Sequence, residues 1–213
     1  MRSGAALVAS ADVANRKAFL RGLSGPQLKA LPYLFEFWAL DHQLAPKGDW
    51  RTWIILGGRG AGKTRAGAEW VRSMVEGSRP RDPGMARHVG LIGETMEQAR
   101  EVMVCGASGI LACSPPDRRP QWISGRNLLV WPNGAEARLY SAFDPERLRR
   151  PQFDAVWADE LAKWPKAQNT WDMMQFCLRL GKKPRACVTT TPKNVEILKD
   201  LMARKSTVQT HAT

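Results

Sequence analysis

The sequence is poor in features that would place it in several large classes of protein. Only four of its 213 residues are cysteine (Cys105, Cys113, Cys177 and Cys187), with no C-x-x-C pair and no metal-like spacing to the three histidines. That excludes a zinc module or a disulfide-stapled secreted domain, and predicts reduced, mostly buried thiols in an intracellular compartment. The longest apolar run near the N-terminus, Ala5 to Ala9, is too short for a signal-peptide core, and no run approaches a membrane span. Repeats and low-complexity tracts are absent. Acidic residues are in deficit: 20 Asp and Glu stand against 32 Lys and Arg, a formal net charge of +12. An acidic protein surface is therefore disfavoured as the main partner, and phosphate-rich ligands are favoured. The basic residues are spread along the chain, so a folded surface is expected and a polybasic arm is not. With 44% hydrophobic and 24% charged residues, the composition is that of an ordinary globular protein of one generous domain.

Residues 12–44 read as largely helical, broken at Gly25-Pro26 and Leu31-Pro32, and 45–49 as a turn. Strands are expected at 50–56, 88–93, 153–158, 185–190 and 206–210. Helices are expected from Lys63 to about Val75, from Met96 with Thr95 as cap, over 168–180 up to Gly181, and over 194–203. Between 127 and 140, two strand-like runs flank Pro132-Asn133-Gly134, a β-hairpin signal. Strands alternating with helices predict an α/β fold with a mainly parallel sheet flanked by helices.

The strongest chemical signal is Gly57-Gly58-Arg59-Gly60-Ala61-Gly62-Lys63-Thr64, which satisfies G-x-x-x-x-G-K-[ST] at every position. Glycines let backbone N–H groups curl around a phosphate. Lys63 would reach the β- and γ-phosphates, Thr64 would put its hydroxyl on Mg²⁺, and the following helix adds its positive end. A second signal, Phe153 to Glu160, is an apolar strand delivering two adjacent carboxylates. Asp159 would hold Mg²⁺ and Glu160 would polarise a water. Strand neighbours point to opposite faces, so the two roles require a bend there. Val188-Thr189-Thr190-Thr191-Pro192 places hydroxyls at another strand end, either to sense the γ-phosphate or to cap the next helix. Arg59, Arg147, Arg149 and Arg150 are candidates by position for a cation on developing charge. The nine tryptophans read as packing residues before base-stacking ones.

The order Gln43-Leu44-Ala45-Pro46, Gly48-Asp49-Trp50, GGRGAGKTRAGAEW (57–70), LRRPQFDAVWADELAKW (148–164), LRLG (178–181) and VTTTP (188–192) closely resembles the large terminase subunit, the genome-packaging motor of tailed phages and their prophage or gene-transfer-agent relatives. The resemblance runs from about residue 35 onward. It implies a P-loop NTPase of RecA-like (ASCE) type, with a helical segment over 1–44, an ATPase core over 45–213 and a small hairpin insertion at 127–140. It implies an ATPase using ATP and Mg²⁺ that drives double-stranded DNA into a procapsid. By the resemblance, Gln43 contacts adenine, and Gly57, Gly58, Arg59, Gly60, Ala61, Gly62, Lys63 and Thr64 bind ATP. Thr64 and Asp159 hold the metal, Glu160 and Lys63 are catalytic, and Thr189, Thr190 and Thr191 couple hydrolysis to DNA movement. Arg149 matches an arginine proposed to act in trans on a neighbour's ATP. The next residue is Arg150, where family members often have Gly, so the choice among Arg147, Arg149 and Arg150 stays open.

The implied partners are DNA, the portal of the procapsid, the small terminase subunit and copies of the same chain in a ring, with a monomer possible in isolation. The implied location is the host cytoplasm, with no membrane partner. Family members continue into an RNase-H-like nuclease domain. No such acidic cluster follows here, so nuclease activity is not expected of this chain. Two other readings are a helicase-like translocase, which usually needs a second RecA-like lobe, and a non-hydrolysing nucleotide-binding assembly module from a truncated prophage gene.

Overall fold

A computed structural model describes residues 3–212; Met1, Arg2 and Thr213, the outer ends of the two expected regions, lie outside it. The chain divides into two compact units, one up to Leu44 and one from Ala45 onward. The first contains α1 (Gly4–Ser10), α2 (Val13–Arg21), α3 (Gly25–Ala30) and α4 (Phe35–Trp38), each short. Ser3, Asp12 and Ser24 cap the first three through their side chains. Helix α1 lies ahead of the 12–44 stretch whose local pattern reads as helical, within the helical segment over 1–44 that the resemblance implies. Pro26 acts opposite to its expected role: it occupies the first turn of α3, where a missing N–H costs nothing, and the break falls at residues 22–24 before it. Phe19 and Phe37 stack at 5.9 Å within this unit.

The second unit runs β1 (Thr52–Leu56), α5 (Lys63–Val75), β2 (His88–Gly93), α6 (Met96–Gln98), a π-helical turn (Ala99–Val104), α7 (Ile110–Cys113), β3 (Gln121–Ile123), β4 (Leu128–Val130) and β5 (Glu136–Ser141). After a 3₁₀ turn (Pro145–Arg149) come β6 (Ala155–Asp159), α8 (Ala167–Cys177), β7 (Arg185–Thr190), α9 (Glu196–Ala203) and β8 (Thr207–His211). Together the strands form one eight-stranded sheet in the order β3-β4-β5-β2-β6-β7-β1-β8. Pairing is parallel from β5 to β8, and β3 and β4 add an antiparallel margin. The expected hairpin is β4–β5, but β5 also pairs along its whole length with β2, so the hairpin extends the main sheet.

The central strands β1, β6 and most of β2 and β7 are buried throughout, as a sheet covered on both faces requires. One face packs Ile54, Leu56, Val156, Ala158 and Val188 against Trp171 and Met174 of α8 and Leu198 and Leu201 of α9. On the other face Trp157 meets α5 at Gly67. The strand order places β7 between the phosphate-loop strand β1 and the carboxylate strand β6. That is the RecA-like (ASCE) arrangement, and it brings three strand ends into line, with Leu56 opposite Thr190 and Asp159 opposite Thr189. A crevice outside the carboxyl ends of parallel strands is where such folds bind ligands. Helix α8 ends earlier than Gly181, because Leu178 leaves it to bridge beside Phe153 and Leu180 donates its N–H to the Phe153 carbonyl.

Candidate active site

The loop between β1 and α5 needs glycine for its backbone: Gly60 and Gly62 have φ of +83° and +69°, a region other residues enter at a cost. Lys63, the first residue of α5, is buried and folds back over the loop, donating through Nζ to the carbonyls of Gly57 and Gly58 at 2.9 Å each. Its Nζ also lies 3.7 Å from Glu160 Oε1. A buried ammonium must be paired, and here the loop's own carbonyls supply the acceptors.

At the end of β6 the two carboxylates part company. Asp159 is 4% exposed, and burial pushes its carboxyl up to about 6 against the pull of a hydrogen bond donated by Thr189 Oγ1 at 2.6 Å. Glu160 turns out of the strand in the left-handed region, φ +51°, which supplies the bend that the paired roles demanded. A non-glycine residue there is uncommon and is held by its surroundings. Its N–H donates to Thr189 O at 2.6 Å. Thr191 Oγ1 donates to Glu160 Oε2 at 3.2 Å, and Lys163 Nζ stands 3.5 Å from the same oxygen.

The three threonines thus take separate tasks. Thr189 holds Asp159, Thr191 holds Glu160, and Thr190 Oγ1 accepts the N–H of Ala162 in the turn that follows. Trp164 completes the end of β6, donating its indole N–H to Asp159 O at 2.9 Å.

A cavity of about 710 Å³ opens over this arrangement, lined by Arg59, Gly60, Ala61, Gly62, Lys63, Thr64, Glu160 and Thr191. Its far wall, Glu101, Val102, Gly106, Ala107 and Ser108, was not anticipated from the sequence. The π-helical turn and the close approach of Gly106 to the Glu101 carbonyl bring that wall over the loop. The only local signal was the pair of glycines at 106 and 109, which has no recognised motif. Arg65 lines the same cavity and starts an ion-pair ladder along α5, through Glu69 at 2.7 Å to Arg72 and on to Glu76. Burial raises the Glu69 carboxyl despite both arginines.

Arg149 is not gathered into this cavity. It sits on the 3₁₀ turn, ion-paired with Glu146 at 2.6 Å and largely exposed, beside an apolar groove with Met173 and Phe176. Arg147 and Arg150 line another cavity, with Arg126 and Arg138. Gln43 belongs to the first unit, where its Oε1 accepts the N–H of Leu40 at 2.9 Å. All four cysteines are free; Cys113, Cys177 and Cys187 are buried, whereas Cys105 is exposed. Among the described residues no helix is long and apolar enough to cross a membrane.

The sequence has no match among curated proteins. The fold is similar to the large terminase ATPase domain of Thermus phage P74-26, with a TM-score of 0.63 at 20% identity, covering 88% of this chain and 84% of that one. A single-residue variant of that domain superposes with a TM-score of 0.58 at 19% identity, covering 89% and 85%. The large terminase from a thermophilic bacteriophage, solved in complex with ADP, gives 0.56 at 15% identity, covering 87% of this chain and 44% of that longer one. Residues 54–211 match the family described as terminase large subunit, T4likevirus-type, N-terminal. The chain belongs to the terminase large subunit family, in its N-terminal part.

Proposed function

We propose that the chain hydrolyses ATP to drive double-stranded DNA into a viral procapsid. The observation that carries the reading is the pairing at one sheet edge of Lys63, seated in the phosphate loop, with Glu160, 3.7 Å away and steadied by Thr191. Gly57 to Thr64 would wrap the phosphates, and Lys63 would exchange its two loop carbonyls for phosphate oxygens. Glu160 would orient and polarise the attacking water.

Thr64 and Asp159 fit Mg²⁺, since both offer hard oxygens and Asp159 has one carboxylate oxygen left after Thr189 takes the other. Among the described residues no three His, Cys, Asp or Glu gather to form a metal cage, which suits an ion that takes its other ligands from phosphate and water. When bound, it would neutralise charge building on the phosphates.

Arg149, outside its own cavity, would serve a second copy in a ring, and Gln43 would meet adenine. The threonines 189–191, which grip both carboxylates, would pass the loss of the γ-phosphate on to DNA movement. DNA contact would run through phosphates, with the portal and small subunit as further partners, and would weaken steeply with salt. Steady-state phosphate release by Lys63→Ala and Glu160→Ala tests the proposal: both are expected to abolish it, and turnover equal to the parent's in either would overturn it.

A further inference from the structure

Asp159 is held by a hydrogen-bond chain that begins outside the phosphate loop. Trp157 lies two residues upstream on β6, so its side chain shares Asp159's face of the sheet. The ring is fully buried, and its Nε1–H donates to Thr189 Oγ1 at 2.8 Å; Thr189 Oγ1 in turn donates to Asp159 Oδ1 at 2.6 Å. An indole N–H can only donate, so the Thr189 oxygen must accept, and its single proton is left for the carboxylate. The competing acceptor, the Ala158 carbonyl, is farther from Thr189 Oγ1, at 3.5 Å.

The ring's own place is set by α5. A Cβ at Gly67 would overlap the six-membered ring and indole nitrogen of Trp157, so only glycine admits the indole at that depth. Gly67 lies one turn after Lys63 and Thr64 on the same helix.

We propose that Trp157 is a positioning residue for Asp159, acting through Thr189, with Gly67 fixing the indole against the phosphate-loop helix. The proposal rests on the ATPase reading and deepens it. The loop helix and the metal-binding carboxylate are joined at one buried contact, and the orientation of Asp159 follows from the position of α5. Thr189 therefore faces the carboxylate and not the phosphate, and within 189–191 the hydroxyl that touches the catalytic glutamate belongs to Thr191.

Trp157→Phe keeps an aromatic ring and removes only the donor. The probe is Mn²⁺ added with ATP to the whole chain, with free ion counted by its electron paramagnetic resonance signal. Partners that orient a metal ligand typically contribute 10- to 100-fold in affinity or activity, so Mn²⁺ affinity and kcat are expected to fall about 10-fold while KM for ATP at saturating metal is unchanged. Thr189→Ser, which keeps the hydroxyl, is expected to bind Mn²⁺ as the parent does, Thr189→Val to lose as much of that affinity as Trp157→Phe, and the double variant to lose no more than either. Full Mn²⁺ affinity in Trp157→Phe, or additive losses in the double variant, would overturn the proposal.

A second measurement leaves every tryptophan in place. In ¹⁵N-labelled protein, Thr189→Val must speed the exchange of one indole proton with water, and unchanged exchange would overturn the chain of bonds. A parent that takes up no Mn²⁺ with ATP would overturn the ATPase reading itself, an outcome distinct from a parent that binds metal and a Trp157→Phe variant that binds it equally well.

Discussion

The carboxylates that end β6 and the arginines of the turn before it are near neighbours in sequence, yet they are built in opposite ways. Asp159 is gripped by Thr189 of the adjacent strand and almost wholly buried, and Glu160 is gripped by Thr191, just past that strand's end, and bent into a left-handed conformation. Arg147 and Arg149 pair with the carboxylates three residues back, Asp144 and Glu146, with side chains 66% exposed. Exposed pairs of this kind contribute about 0–1 kcal/mol, so they can be exchanged for other partners at little cost. The contrast separates groups that folding itself must aim from groups left in exchangeable surface pairs, as the proposed service to a second copy would require.

The largest expected break in that contrast is Glu160→Gln. Removing a general base typically costs about two to four orders of magnitude in turnover. Phosphate release should fall by that much while equilibrium nucleotide binding persists. Next comes Gly67→Ala, which drives a methyl into the Trp157 ring. Overpacking a filled core costs about 1–3 kcal/mol and sometimes more. Each kcal/mol lowers Tm by about 2–4 °C in a chain of this size, so calorimetry should show a clear drop.

A subtler effect belongs to Asp159, whose carboxyl titrates near 6 in the fold against 3.8 when unperturbed. The native state then binds the proton more tightly than the unfolded chain. With a chelator present, stability should fall as pH rises from about 4 to 6 and level off above, by roughly 3 kcal/mol in all. Asp159→Asn should flatten that stretch of the denaturation profile while losing hydrolysis. The smallest change in stability is expected from Arg149→Ala, within about 0.5 kcal/mol. Its effect should appear elsewhere: turnover per chain rises with protein concentration in the parent and stays flat in the variant.

What could be read in the sequence follows the range of each signal. The loop glycines, β2 and β7 stand where the local pattern puts them, since a glycine at fixed spacing or a β-branched run needs no distant partner. Trp50 marks where that reasoning falls short: it looked like the start of β1, but it is buried beneath Arg185 with its indole bonded to Pro46 O, and the strand begins at Thr52. The need for a bend after Asp159 was legible from strand alternation, whereas the left-handed turn that meets it was not. The partners of Thr189, Thr190 and Thr191 were also out of reach, because alternation names a face of the sheet and says nothing of what lies across it. The wall at 101–108 depends on a π-helical turn, which has no sequence signature of its own.

Glu160's left-handed backbone and Asp159's burial have a consequence on the scale of lineages. Both residues are costly where they stand: glycine at 160 would relax the backbone, and a neutral side chain at 159 would spare a buried charge. Once selection for turnover lapses, drift at these two positions runs downhill toward a more stable and inactive protein. On the proposed function, a sequence that still carries the pair would record continuing use, and among relatives the pair should disappear before the hydrophobic strand that bears it.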